Sequence, residues 1–69
     1  MDNATVGSIV WTYVSWKTFR PYRIVREEDD SGTRKFFAIN GSQLVRFRAS
    51  SVYLSWYGFR VPRTMVEKI

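Results

Sequence analysis

The stretch VWTYVSWKTFRPYRIV, Val10 to Val25, sets Trp11, Tyr13, Trp16, Phe19 and Tyr22 among Lys17, Arg20 and Arg23. Rings alone would serve a core, and cations alone a solvated face. Interleaved, they suit a surface that grips a polyanion by stacking and charge, or an acidic partner by aromatic anchors. Arg46 and Arg48 form a second group. Two residues apart on a strand they share one face, about 7 Å from each other, comparable with successive phosphates along an extended nucleic-acid strand. Lys35 and Arg23 extend that patch if strand pairing brings them alongside. Trp16, Lys17, Phe19 and Arg20 fall in a loop, and a loop cannot bury all its side chains. The candidate nucleic-acid contacts are therefore Lys17, Arg20, Arg23, Lys35, Arg46 and Arg48, with Trp16 and Phe19 as aromatic contacts. The competing reading makes Arg46 and Arg48 an ordinary solvated sheet face, and packs Trp11 and Tyr13 against the C-terminal segment.

Other chemistry finds few residues to work with. The chain has no cysteine and no histidine, so thiolate metal sites, disulfides and the usual general base are missing. Ser50 and Ser51 have no base partner in view. The acidic run Glu27-Glu28-Asp29-Asp30 reads as a solvated turn, because a hard-metal site would need converging oxygens from elsewhere. No catalysis, metal or cofactor is expected.

The elements that must position these residues follow a period of two. Strand one is expected over 8–14, with Val10, Thr12 and Val14 on one face and Ile9, Trp11 and Tyr13 on the other. A loop follows over 15–19, then strand two over 20–28, with Pro21 at its start because it lacks an N–H. Asp29-Asp30-Ser31-Gly32 is a turn signal. Strand three spans 34–39 and strand four 43–48, joined by a type I′ turn at Asn40-Gly41. Ala49-Ser50-Ser51 is a break of one 3-10 turn, and strand five covers 52–57. Beyond Gly58, Pro62 opens a short helix over 63–69 or the tail runs extended. Val10, Val14, Ile24, Phe37, Ile39, Val45, Phe47 and Leu54 are the expected core. A loose N-terminus (1–6), a barrel (7–58) and a C-terminal segment (59–69) divide the chain. At 69 residues and 45% hydrophobic it makes one dense domain. Five short strands with a break before the last predict an all-β fold, a strongly bent antiparallel small barrel.

This order resembles the Src-homology-3-like small barrels, and two subfamilies come close. Ser8-Ile9-Val10-Trp11 through Val14-Ser15, then Phe19-Arg20-Pro21, is similar to the opening of PWWP domains, where a G-D-x-V-W-A-K-V strand leads into the Pro-Trp-Trp-Pro motif. Pro21-Tyr22-Arg23-Ile24-Val25 with Arg48-Ala49-Ser50-Ser51-Val52 resembles retroviral-type integrase C-terminal barrels, with their G-P-Y-R-V strand and H-A-S-x-L break. Either resemblance covers roughly residues 7–54, and neither motif is specific. The resemblance implies contact with DNA through a basic face. PWWP domains also bind methylated lysine in an aromatic cage. Here Arg20 stands at the second Trp of the motif and Lys17 at the preceding loop aromatic, and cations at two walls would repel a methylammonium ion.

The net charge of +5, with no acidic residue from Ser31 to Val66, favours a polyanion; solubility alone is the bland alternative. The first expectation is a non-enzymatic DNA-binding small barrel. Its rival is a protein-interaction module, such as a small viral or phage-encoded effector or inhibitor of an acidic host protein. A methyl-lysine reader of Tudor or PWWP type comes third. No run is apolar enough for a signal peptide or a membrane span, so an intracellular protein is expected, as monomer or homodimer.

Overall fold

Alternating β-branched and aromatic residues, broken by Gly-containing turns, build strands throughout. The computed structural model describes residues 4–15, 18–63 and 66–69. Among the described residues there are seven strands: β1 (Ile9–Ser15), β2 (Thr18–Asp30), β3 (Thr33–Asn40), β4 (Gln43–Arg48), β5 (Val52–Leu54), β6 (Arg60–Pro62) and β7 (Glu67–Lys68). All pairings are antiparallel. One sheet has the order β1-β2-β3-β4-β7, and β5 and β6 form a separate two-stranded ribbon. The protein is thus all-β, with two strands more than the five expected. The larger sheet ends in β1 on one side and β7 on the other. A 3-10 turn, Ala49–Ser51, lies between β4 and β5 as expected, and the Ser51 hydroxyl closes it by donating to the Arg48 carbonyl at 2.7 Å. No helix among the described residues is long and apolar enough to cross a membrane.

The 13-residue β2 carries the architecture. Its first part pairs with β1, from Arg23 opposite Ile9 to Thr18 opposite Ser15; its second part pairs with β3, from Arg23 opposite Ile39 to Asp30 opposite Thr33. The changeover coincides with a bulge between Ile24 and Arg26. An extra residue there bends the strand and raises its twist, so one continuous strand serves two directions. Ser31-Gly32 turns β2 into β3 with both residues at positive φ, and the Asp29 side chain accepts the Gly32 N–H at 2.9 Å. The β3–β4 turn differs from expectation. Asn40 pairs with Gln43, so Gly41-Ser42 occupies the centre, and only Gly41 has positive φ, +60°. That is the type II′ pattern, with glycine first, rather than type I′.

The inner face holds Val10, Thr12, Tyr22, Ile24, Phe36, Ala38, Val45 and Phe47, with Ala4 added from the N-terminal segment. Val52, Ala49 and Val66 pack against this cluster. Ala4 is packed in this cluster, and the Gly7 N–H donates to the Ile24 carbonyl at 2.8 Å. On β3 the expected phase is reversed. Phe36 and Ala38 face the core; Ile39 is exposed, and Phe37 is buried outside the core cluster, beneath Arg26 and Arg46. Leu54 is also exposed. The run Phe36-Phe37-Ala38-Ile39 is apolar at every position, so alternation gives no phase, and a one-residue shift exchanges the faces.

The tail carries no helix among its described residues. Val61 and its neighbours pair with β5, Glu67 and Lys68 pair with Arg46 and Val45, and the Ile69 N–H donates to the Leu44 carbonyl. Expected strand five stops at Leu54, because residues 55–59 form the β5–β6 turn.

Candidate nucleic-acid interface

The β5–β6 turn displays two large rings. Ser55 donates to the Phe59 carbonyl at 2.8 Å, Gly58 donates to the Ser55 carbonyl at 3.0 Å, and Gly58 has φ +92°. This is a three-residue loop, Trp56-Tyr57-Gly58, with glycine in the left-handed position that such a loop needs. Its tip residues are open to solvent: Trp56 is 92% exposed and Tyr57 74%.

The tip is backed by a chain of rings. Trp56 meets Tyr57 edge-on at 5.5 Å, and Tyr57 stacks on Phe59 at 5.9 Å with planes 15° apart. Phe59 leans on Trp11 at 5.5 Å and on Phe19 at 6.1 Å, and Phe19 meets Tyr13 at 5.4 Å. Six rings from β1, β2 and the β5–β6 turn thus form one connected patch. Antiparallel register explains the β1–β2 part, since it places Tyr13 opposite Phe19 and Trp11 opposite Pro21. Trp11 does pack against the C-terminal segment, as its bland reading held, whereas Tyr13 remains half exposed.

The cations divide into two groups. On β2, β3 and β4 four of them are engaged, Arg26, Lys35 and Arg46 on the outer face and Arg34 on the face of Phe36. Arg34 bonds Glu27 at 2.6 Å, Arg26 pairs with Glu28 at 3.0 Å, Lys35 with Asp30 at 3.5 Å, and Arg46 with Glu67. Arg26 and Arg46 also lie over the Phe37 ring, at 4.3 and 6.0 Å from its centroid. The Glu27 and Glu67 carboxyls are held below the usual carboxylate range, chiefly by their hydrogen bonds from Arg34 and Arg46, and the two guanidiniums are raised in turn. With the Asp29 side chain occupied by Gly32, every described acidic residue has a partner.

The second group is free of acids. Arg20, Arg23, Arg48 and Lys68 are exposed and make no salt bridge with a described residue. Arg23 shares the outer face with Phe19 and Pro21, opposite Ile9, and so borders the ring patch; Arg20 stands opposite Thr12, on the other face of β2. Arg63 lies over the Tyr53 ring at 4.8 Å.

Of the residues singled out from the sequence, the structure therefore brings Phe19 and Arg23 to the ring patch, and leaves Arg20 exposed on the opposite face of β2. Lys35 and Arg46 lie together on the outer face in paired form. Lys35 stands opposite Arg48 in the β3–β4 register. The pairing that withdraws Arg46 comes from Glu67 on β7, a strand that the sequence did not reveal. Trp16 and Lys17 lie outside the described residues, as does the side chain of Val14. Trp56, Tyr57 and Phe59 were missed. Their signal was the sequence Trp-Tyr-Gly-Phe itself: a glycine after two large rings marks a turn, not a strand.

Two hollows lie elsewhere. A groove of about 540 Å³ is lined by Arg34, Phe36, Arg48, Ala49, Ser50 and Val52 among others. A shallower one of about 250 Å³ is lined by Glu28, Asp29 and Asp30 together with Lys35, Phe37 and Arg46. Its carboxylates are matched by cations, and no group of three metal-ligating side chains comes together among the described residues.

No protein-family model, curated protein or solved structure matches this chain.

Proposed function

We propose that this protein is a non-enzymatic nucleic-acid-binding module whose contact surface is the ring patch of Trp11, Phe19, Trp56, Tyr57 and Phe59 with Arg23 at its border. One observation carries the reading: the largest exposed aromatic surface adjoins a cation, Arg23, that no described carboxylate neutralises. Exposed rings supply stacking, and unpaired guanidiniums supply phosphate contacts whose strength falls with salt. Arg48 and Lys68 add to the field that draws a polyanion in.

The fold reading that goes with it is a small barrel of the Src-homology-3-like kind. Support comes from the bent β2, the 3-10 turn before β5, and the packing of β6 beside β1.

A second reading is favoured by the same tip. Two adjacent exposed aromatics next to arginine resemble the anchors of a protein–protein hot spot, and the pairing of Lys35 and Arg46 reduces the basic face. The two readings part on a titration with short DNA at low and moderate salt. Binding that weakens steeply with salt supports the nucleic-acid module. A flat response at low salt rejects it in favour of a protein partner.

A further inference from the structure

We infer that the Trp56–Tyr57 tip is a stacking platform for unpaired bases, so that the ligand is single-stranded nucleic acid rather than duplex. The inference rests on the nucleic-acid reading above and narrows it.

A base can stack only on a ring whose face is open, and only if its own face is free. Trp56 and Tyr57 meet the first condition, being the two most exposed large apolar side chains among the described residues. The second condition is met by single strands and not by duplexes, whose bases already stack on one another. The platform is also held in place before any ligand arrives. Tyr57 lies nearly parallel to Phe59, Phe59 is wedged against Trp11 and Phe19, and the loop backbone is fixed by the Ser55–Phe59 and Gly58–Ser55 hydrogen bonds. Little ordering is left to offset the stacking gained.

Charge points the same way. Duplex recognition without base contacts needs a row of cations that follows the backbone. The row that the outer sheet face offers, Lys35 and Arg46 with Arg26 beside them, is occupied by Asp30, Glu67 and Glu28. The ring patch is bordered by one exposed cation on its own face of β2, Arg23, which suits one backbone passing a stacking surface.

The test measures fluorescence anisotropy of a short labelled oligothymidylate and of a labelled duplex of equal length, at one low salt concentration, with the parent protein and with Trp56→Ala and Tyr57→Ala. Both side chains are exposed, so each variant is expected to keep the parent's circular dichroism, and either one suffices. The single strand is expected to bind about tenfold or more tightly than the duplex, and each substitution to weaken single-strand binding by roughly 5- to 150-fold, the loss of one stacked base. Duplex binding equal to or tighter than single-strand binding overturns the inference and leaves the nucleic-acid reading standing. So does single-strand binding that neither substitution alters. Failure of both nucleic acids to bind overturns the reading and the inference together.

Discussion

Replacing Arg23 by alanine separates the free cation at the ring patch from the paired ones. On a single strand each phosphate contact contributes about 0.7 to the slope of log K against log salt, so one contact makes a difference of about 0.7. Between 50 and 200 mM salt, a fourfold change, a slope difference of about 0.7 amounts to about 2.6-fold in K. The Arg23→Ala variant should therefore bind more weakly than the parent at low salt, and the gap should narrow about 2.6-fold at the higher salt. Arg46 gives the control. Its guanidinium is bonded to Glu67 and its side chain is only 32% exposed, so it has little charge left to offer. Arg46→Gln with Glu67→Gln removes the pair without changing net charge, and its slope should equal the parent's. Anisotropy titrations at several salt concentrations measure all three slopes. This role of Arg23 is refuted if Arg23→Ala keeps the parent slope, or if the Arg46/Glu67 variant loses as much.

Thr12 is fully buried and its hydroxyl has no partner among the described residues, so Thr12→Val, which keeps the branched shape, should stabilise by about 1 kcal/mol and raise Tm by roughly 4–8 °C; an unchanged or lower Tm in a thermal melt would show that the hydroxyl is bonded. Phe36→Ala should cost about 3–5 kcal/mol and Ile39→Ala about 1 kcal/mol or less in urea unfolding, since Phe36 is in the core and Ile39 is not; equal costs would mean the β3 phase is wrong. The Glu27 and Glu67 carboxyls are depressed in the folded state, so the stability they contribute is full above the ordinary carboxylate range and is lost as pH falls through their lowered folded values. Glu27→Gln with Glu67→Gln should flatten that part of the acid limb of Tm against pH, and an acid limb identical to the parent's would contradict it.

Much of the strand order could be read from the sequence, because strands one and four alternate cleanly. Val10 and Thr12 against Ile9, Trp11 and Tyr13, and Val45 and Phe47 against Arg46 and Arg48, sort as alternation predicts. Alternation failed where every residue was apolar, at Phe36 to Ile39, and there the bulge between Ile24 and Arg26 helped set the phase. The two extra strands were hidden by their length. Residues 60–62 and 67–68 are too short to show a period, and they become strands only because β5 and β4 offer edges for them. The same tertiary pairing decided the site. Arg46 looked free in the sequence because its partner Glu67 lies 21 residues away, beyond any local pattern. Trp56 and Tyr57 looked like the end of a strand because the three-residue turn replaced a longer β5.

The most direct test follows amide and indole N–H signals residue by residue while a short single-stranded oligonucleotide is added at low salt. The account predicts that the largest shifts fall on Trp56, Tyr57, Phe59, Trp11, Phe19 and Arg23, with the Trp56 indole among the first to move. Shifts concentrated on Lys35, Arg46 and Arg48 instead, or no shift at any residue, would contradict it.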